Sequence, residues 1–336
     1  MAFGLKRVVA AALIVLAACS PKERAETLPV GAFANAAPAA LSLRELAWLH
    51  PSTDTLKILS SARHECVRPA ENPDMQYLVD IGRLAFQSPM LFGGPAARGG
   101  LSCESCHQGG RDNPNFFLAG LSGEAGTADV TSALFSKVRE DGVFNPVPIP
   151  SLVGIAGKAT FGTQAPAASL SDFIENAVVD EFQGAPPPPV VVSGLSAYIA
   201  HLDETGCVAA TTRTITADMR QAQRAIELVG EALARDDVAA ADFLLVSAQG
   251  QLGQVHERFA GPGLKNQRRA LERLSRNVAA IRTNLRAGDD ASASLAAVMV
   301  GAKTIIGDLE QHRRQSLYDV ETLRAALRAA GRNLGP

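Results

Sequence analysis

Leu101-Ser102-Cys103-Glu104-Ser105-Cys106-His107 places two thiols three residues apart, with an imidazole directly behind the second. Residues three apart on a helical turn share a face, so both sulfurs point the same way and the imidazole closes the turn. This Cys-x-x-Cys-His pattern is the attachment signature of c-type haem. The thiols add across the two vinyl groups, and the histidine binds the iron from the near side. A zinc site would need a second cysteine or histidine pair at matching spacing, and the sequence has none. A thioredoxin-like reading would need a βαβ surround, which is missing as well. The spacing therefore predicts one covalent haem c, with Cys103 and Cys106 as its attachment points and His107 as axial iron ligand.

The rest of the chain suits a helical setting for such a group. Of 336 residues, 47% are hydrophobic but only 5% aromatic. Alanine-rich apolar content of this kind favours helix over β-sandwich. The formal net charge is −2, which excludes a nucleic-acid binder working through bulk positive charge and an acidic disordered chain. The expected fold class is all-α, a haem domain followed by an antiparallel helical bundle.

Lys6 and Arg7 precede an apolar run from Val8 to Ala18. That run is too short to span a membrane, which takes about 20 residues, and it reads as a secretory signal over residues 1–18. Leu16-Ala17-Ala18-Cys19 resembles the lipobox of bacterial lipoproteins, a resemblance that implies acylation of Cys19. Ser20 rather than Asp follows, so anchoring at the periplasmic face of the outer membrane is the favoured localisation. An ordinary secreted protein with a chance cysteine is the alternative. Residues 19–40 read as a lipidated tether.

Two regions follow, with a boundary near Thr211–Thr214. Residues 41–210 hold most of the Gly and Pro and every cysteine after Cys19; residues 214–333 read as a series of helices. Ile215, Met219, Ala222, Ile226, Val229 and Leu233 repeat at four and three. So do Ala241 to Phe259, Leu271 to Leu285, Leu295 to Leu309 and, more briefly, Leu317 to Leu327. Asp236-Asp237, Gly261-Pro262-Gly263 and Gly288-Asp289-Asp290 separate them with capping and turn chemistry. Short connections between amphipathic helices imply an antiparallel bundle over 214–333. Its third helix carries Lys265, Arg268, Arg269, Arg273, Arg276, Arg282 and Arg286 against the single acid Glu272. That is either a solvated face paired with acidic neighbours or a docking surface for an acidic protein partner or lipid headgroups.

Around the haem signature, Met75–Gln87 has helical spacing with Gly82 and Phe86, and Leu195-Ser196-Ala197-Tyr198-Ile199 follows downstream. These resemble the first and last helices of the cytochrome c fold, in which the two helices cross at the small residue and aromatic side chains fill the crossing. Ile81-Gly82-Arg83-Leu84-Ala85-Phe86 leading to the signature, with Pro150-Ser151-Leu152 and Ser169-Leu170 beyond it, resembles the bacterial dihaem cytochrome c peroxidase family over about residues 75–205. The resemblance implies a peroxidase-like oxidoreductase and leaves the bundle unexplained. It also points to Glu181 as the distal acid–base residue, with spacing off by about two; a surface acid ending a helix is the other reading.

The chain departs from that family in having one haem signature, so a second electron must come from a redox partner protein. No Met or His occurs between His107 and His201. Three readings of the sixth iron position stay open. It is open or weakly ligated, as peroxide chemistry requires; Tyr198 or His201 folds in, although the first reads as a helix-crossing residue and the second as solvent-facing; or His50, His64, Met75 or Met90 swings over. Electron transfer without catalysis, and a haem sensor or scaffold, are the competing functions.

Five cysteines then divide as Cys19 to lipid, Cys103 and Cys106 to haem, and Cys66 with Cys207 to a disulfide. The last two lie just outside the first and last cytochrome-like helices, in an oxidising compartment that favours the bond.

Overall fold

A computed structural model describes Leu41, residues 43–162 and residues 165–335. The expected signal segment, Cys19 and the tether lie outside the described residues. The described chain is mostly helical, with only short strand pairs.

The first region is built from short pieces. α1 (Thr55–Ser60) leads to β1 (Cys66–Val67) and α2 (Pro73–Phe86); α3 (Gly94–Gly99) and α4 (Cys103–Cys106) follow. β2 (Thr127–Ala128) and β3 (Val147–Pro148) clip a long irregular loop into an antiparallel pair. α5 (Leu170–Asn176) runs into a π-turn, Ala177–Glu181, before α6 (Pro189–Ala200) and β4 (Leu202–Cys207). α2 starts cleanly because Pro73 occupies its first turn, where no N–H is needed, and Asn72 accepts from the Met75 amide at 2.9 Å.

α2 and α6 cross in direct backbone contact. A Cβ on Gly82 would stand 2.0 Å from the Gly194 carbonyl oxygen and 2.7 Å from Tyr198 Cβ, so only glycine permits the approach. The rings of Phe86 and Tyr198, 5.2 Å between centroids, fill the space beside it. At the outer ends β1 pairs antiparallel with β4, Cys66 opposite Cys207, and the two sulfurs lie at bonding distance, 2.09 Å. His201, expected to face solvent, is instead 3% exposed. Its Nδ1 sits 2.7 Å from the Ala197 carbonyl and its Nε2 3.3 Å from Glu71. The turn from α6 into β4 folds the ring inward, which helical periodicity does not foretell.

The second region comprises α7 (Ile215–Leu233), α8 (Val238–Arg258), α9 (Lys265–Ala287), α10 (Ser292–Gln311) and α11 (Val320–Ala329). Thr214 and Asp237 cap α7 and α8 through the amides of Ala217 and Ala240, at 3.1 and 2.8 Å. Gly288, at φ +84°, ends α9 in the left-handed conformation. α7 packs on α8, α8 on α9, α9 on α10 and α10 back on α7, closing a ring of four. The heptad-spaced residues of α7, α8 and α9 are buried almost throughout, and those of α10 only in part.

The last stripe behaves differently. α11 packs on α1, and Leu323 and Leu327 join Leu43, Leu46, Leu56 and Leu59 in a separate small core. Residues 41–60 and 317–327, read from the sequence as parts of two different domains, are thus packed together. α7 and α8 also rest against α2, and a single apolar core runs from the α2–α6 crossing into the four-helix ring. Arg224 Nε donates to Asp80 Oδ2 at 2.9 Å, and Gln251 Nε2 to Gln87 Oε1 at 3.1 Å, along that seam.

Candidate functional site

Cys103, Cys106 and His107 line one wall of a cavity of about 290 Å³ enclosed by α2, α4, α5, α6, the π-turn and the loop through Ile149. Its lining is mainly apolar, with Phe86, Phe92, Phe135, Phe161, Phe173 and Phe182 among the contributors.

The α4 turn is held from both ends. Ser102 caps it reciprocally, its backbone N–H donating to Ser105 Oγ at 3.1 Å. The His107 amide donates to the Cys103 carbonyl at 2.8 Å, and Asn113 Nδ2 donates to the Ser105 carbonyl at 2.9 Å. Gly109 follows at φ +64°, where a Cβ would stand 2.0 Å from the His64 carbonyl oxygen. Glycine there lets the strand-end chain close over the turn.

Cys103 and Cys106 are not bonded to each other. Burial pushes the Cys103 thiol up to about 12 and Cys106 higher still, so both remain protonated. His107 Nδ1 lies 2.9 Å from the Pro150 carbonyl oxygen. A carbonyl only accepts, so Nδ1 carries the hydrogen and Nε2 keeps a free lone pair, the state a metal-binding histidine needs. Burial lowers the imidazole to about 4, which keeps it neutral at ordinary pH. The Leu152 amide, donating to the Gly110 carbonyl at 2.9 Å, holds the Pro150 segment in place. The donor set and the apolar walls fit a covalently attached haem c. Two thiols not bonded to each other, a neutral oriented imidazole and a hydrophobic slot lie side by side.

Glu181 lines the same cavity and is 7% exposed. It is therefore no surface acid at a helix end. Arg139 Nη1 stands 2.6 Å from Glu181 Oε2. Burial raises the carboxyl to about 7, against the opposing pull of Arg139. The loop bearing Arg139 is laced to the π-turn: Ser136 Oγ donates to the Asp180 carbonyl at 2.7 Å, and Gln183 Nε2 to the Phe135 carbonyl at 2.6 Å.

Among the described residues, the cavity wall carries no Met and no His besides His107. Tyr198 is sealed in the α2–α6 crossing. His50 pairs with Ser52 at 2.6 Å, and Met90 is 61% exposed. His64 lines a second, more polar cavity of about 430 Å³ behind the α4 turn, with Glu104 beside it. His64 also lies near Cys66 and Cys207, but sulfurs bonded to each other are no thiolate ligands.

Two residues of this site escaped the sequence reading. Pro150 acts through a backbone carbonyl, and the dense prolines at 146, 148 and 150 were its only signal. Arg139 left none, since 42 residues separate it from Glu181. The chain matches no protein-family model, no curated protein and no solved structure.

Proposed function

We propose that the chain is an exported, lipid-anchored monohaem c-type cytochrome with peroxidase-like chemistry, comprising a cytochrome c-like region and a helical bundle. The observation that carries the reading is the convergence on one apolar cavity of both thiols, the Pro150-oriented His107 and the buried Glu181–Arg139 pair. When bound, haem c supplies an iron centre that exchanges single electrons and accepts peroxide as a ligand.

Cys103 and Cys106 would hold the group covalently, and His107 Nε2 would bind the iron while Pro150 fixes the ring. Glu181, poised near neutrality, would take a proton from one peroxide oxygen and return it to the other, the role of a general acid–base group. Arg139 would stabilise the negative charge that builds up as the O–O bond breaks. The phenylalanine-rich wall keeps bulk water away. With a single haem, the chain would draw its electrons from a partner protein.

The ferric absorption spectrum and peroxide turnover of the purified holoprotein test this. A high-spin signal with turnover that falls roughly 10²–10⁴-fold in Glu181→Gln is expected. A low-spin haem inert to peroxide would overturn the peroxidase reading and leave a one-electron carrier. Unchanged turnover in Glu181→Gln would remove that residue from the chemistry.

A further inference from the structure

We propose that α9 and α10, the side of the four-helix ring away from α2, form a docking face for an anionic lipid bilayer. α7 and α8 hold the ring to α2, whereas α9 and α10 pack chiefly on their ring neighbours.

α10 is 20 residues long, and its most apolar 18-residue stretch has a mean hydropathy of 1.3, yet only 17% of that stretch is buried. Val300 is 64% exposed, and Ala293, Ala296, Ala297 and Gly307 are exposed around it. A surface helix of a soluble protein normally turns a charged face to water; the exposed charges of α10 are only Lys303 and Asp308, its other exposed polar residues being the neutral Ser292, Ser294, Thr304 and Gln311.

α9 lies alongside. Gln267 Nε2 donates to Asp308 Oδ2 at 3.0 Å, and Leu274 packs against Gly301. Its exposed face carries Lys265, Arg269, Arg273 and Arg276, spaced four, four and three residues apart and so forming one stripe. None of these four has a hydrogen-bond or ion-pair partner among the described residues. The contrast lies on the same helix: Arg282 and Arg286 both pair with Asp242, at 2.7 and 2.8 Å. Glu272, the only acid of α9, is turned to His256 of α8 at 3.1 Å.

A self-neutralised face would be a solvated one. An unpaired cationic stripe beside an open apolar helix is instead the make-up of a surface lying at a membrane interface. The cations meet headgroup phosphates, and the apolar helix meets the acyl boundary. A protein partner fits less well, because the face is made of small flat residues without the aromatic anchors that protein interfaces concentrate. The inference rests on the lipoprotein reading for proximity: acyl chains on Cys19 would keep the ring near a bilayer and raise its effective concentration there.

The test uses the mature haem-loaded lipoprotein in phosphatidylcholine vesicles with and without phosphatidylglycerol. A nitroxide at Val300→Cys reports immersion through its collisions with oxygen and with a water-soluble nickel complex; one at Val143→Cys serves as control. The Val300 label is expected to immerse only when the anionic lipid is present, while the Val143 label stays aqueous. Lys265→Gln with Arg269→Gln, Arg273→Gln and Arg276→Gln should cut the immersed fraction roughly tenfold or more, and raised salt should mimic that loss. An aqueous Val300 label on anionic vesicles would overturn the proposal. So would equal immersion without the anionic lipid, indifference to the four substitutions, or shielding without vesicles that grows with protein concentration. Acylation of Cys19 is read separately from the mass of the N-terminal peptide, so failure of the anchor and failure of the face are distinguishable.

Discussion

The cavity region and the four-helix ring share one core but spend their glycines in contrasting ways. In the ring, a Cβ on Gly230, Gly250 or Gly307 would meet nothing within 4 Å. Around the cavity, a Cβ on Gly82, Gly93 or Gly109 would stand within about 2 Å of another segment's carbonyl oxygen. The ring is stabilised by repetition, with long helices that each turn an apolar stripe inward, that of α10 only partly buried. The cavity region has short elements that leave a hollow at their centre, so it depends on a few close approaches and cross-links. A region with a hollow at its centre does not fill its core, and it makes up for this with backbone contact elsewhere.

The widest break between the two regions should come from Cys106→Ala together with Cys103→Ala. Covalent haem is expected to vanish entirely, as read by haem staining after denaturing electrophoresis. Far-ultraviolet circular dichroism should stay near that of the parent, because the ring does not use the thiols. Opening the link between β1 and β4 comes next. Cys66→Ser with Cys207→Ser should cost about 2–4 kcal/mol of unfolding free energy, and a denaturant midpoint equal to the parent's would show that the bond contributes nothing.

The same chemical change made in both regions sharpens the contrast most directly. Gly82→Ala forces the α2–α6 crossing apart and should destabilise by about 1–3 kcal/mol. Gly230→Ala, in an exposed helix interior, should stabilise by about 0.5–1 kcal/mol. Thermal melts giving both changes the same sign would erase the distinction.

The cavity region carries a pH effect of its own, set by carboxyls that burial raises. Burial raises Glu104 to about 8 and Glu181 to about 7, from the ordinary 4.5. Each therefore holds its proton more tightly when folded than when unfolded. That stabilisation is fully present below pH 4.5 and is lost as pH climbs through the folded values. Glu104→Gln should match the parent near pH 4.5 and melt higher than it above pH 8. A constant gap across that range would mean that the Glu104 carboxyl does not change its protonation there.

Legibility followed the same divide. The ring could be read from its stripes because a helix is specified by neighbours three and four residues away. The fate of the final stripe could not: Leu323 and Leu327 suit any apolar surface, and only the returning chain shows that α1 and the leucines after Leu41 receive them. At the site, Cys103, Cys106 and His107 were fixed by their spacing, whereas the burial of Glu181 and its pairing with Arg139 were not. His201 was read the wrong way round because position at a helix end says nothing about where the following strand turns.

By itself the sequence determined the chemistry-bearing turn, the mostly helical fold and the ring's apolar stripes, since each is written in contacts a few residues apart. Tertiary structure alone decided which surfaces those pieces share. It placed Pro150 against His107, Arg139 against Glu181 and α11 against α1, and among the described residues it left the outer side of α9 and α10 uncovered. These contacts join residues tens to hundreds of positions apart, and their free energy depends on burial and on the approach of distant backbone, quantities that no local pattern encodes.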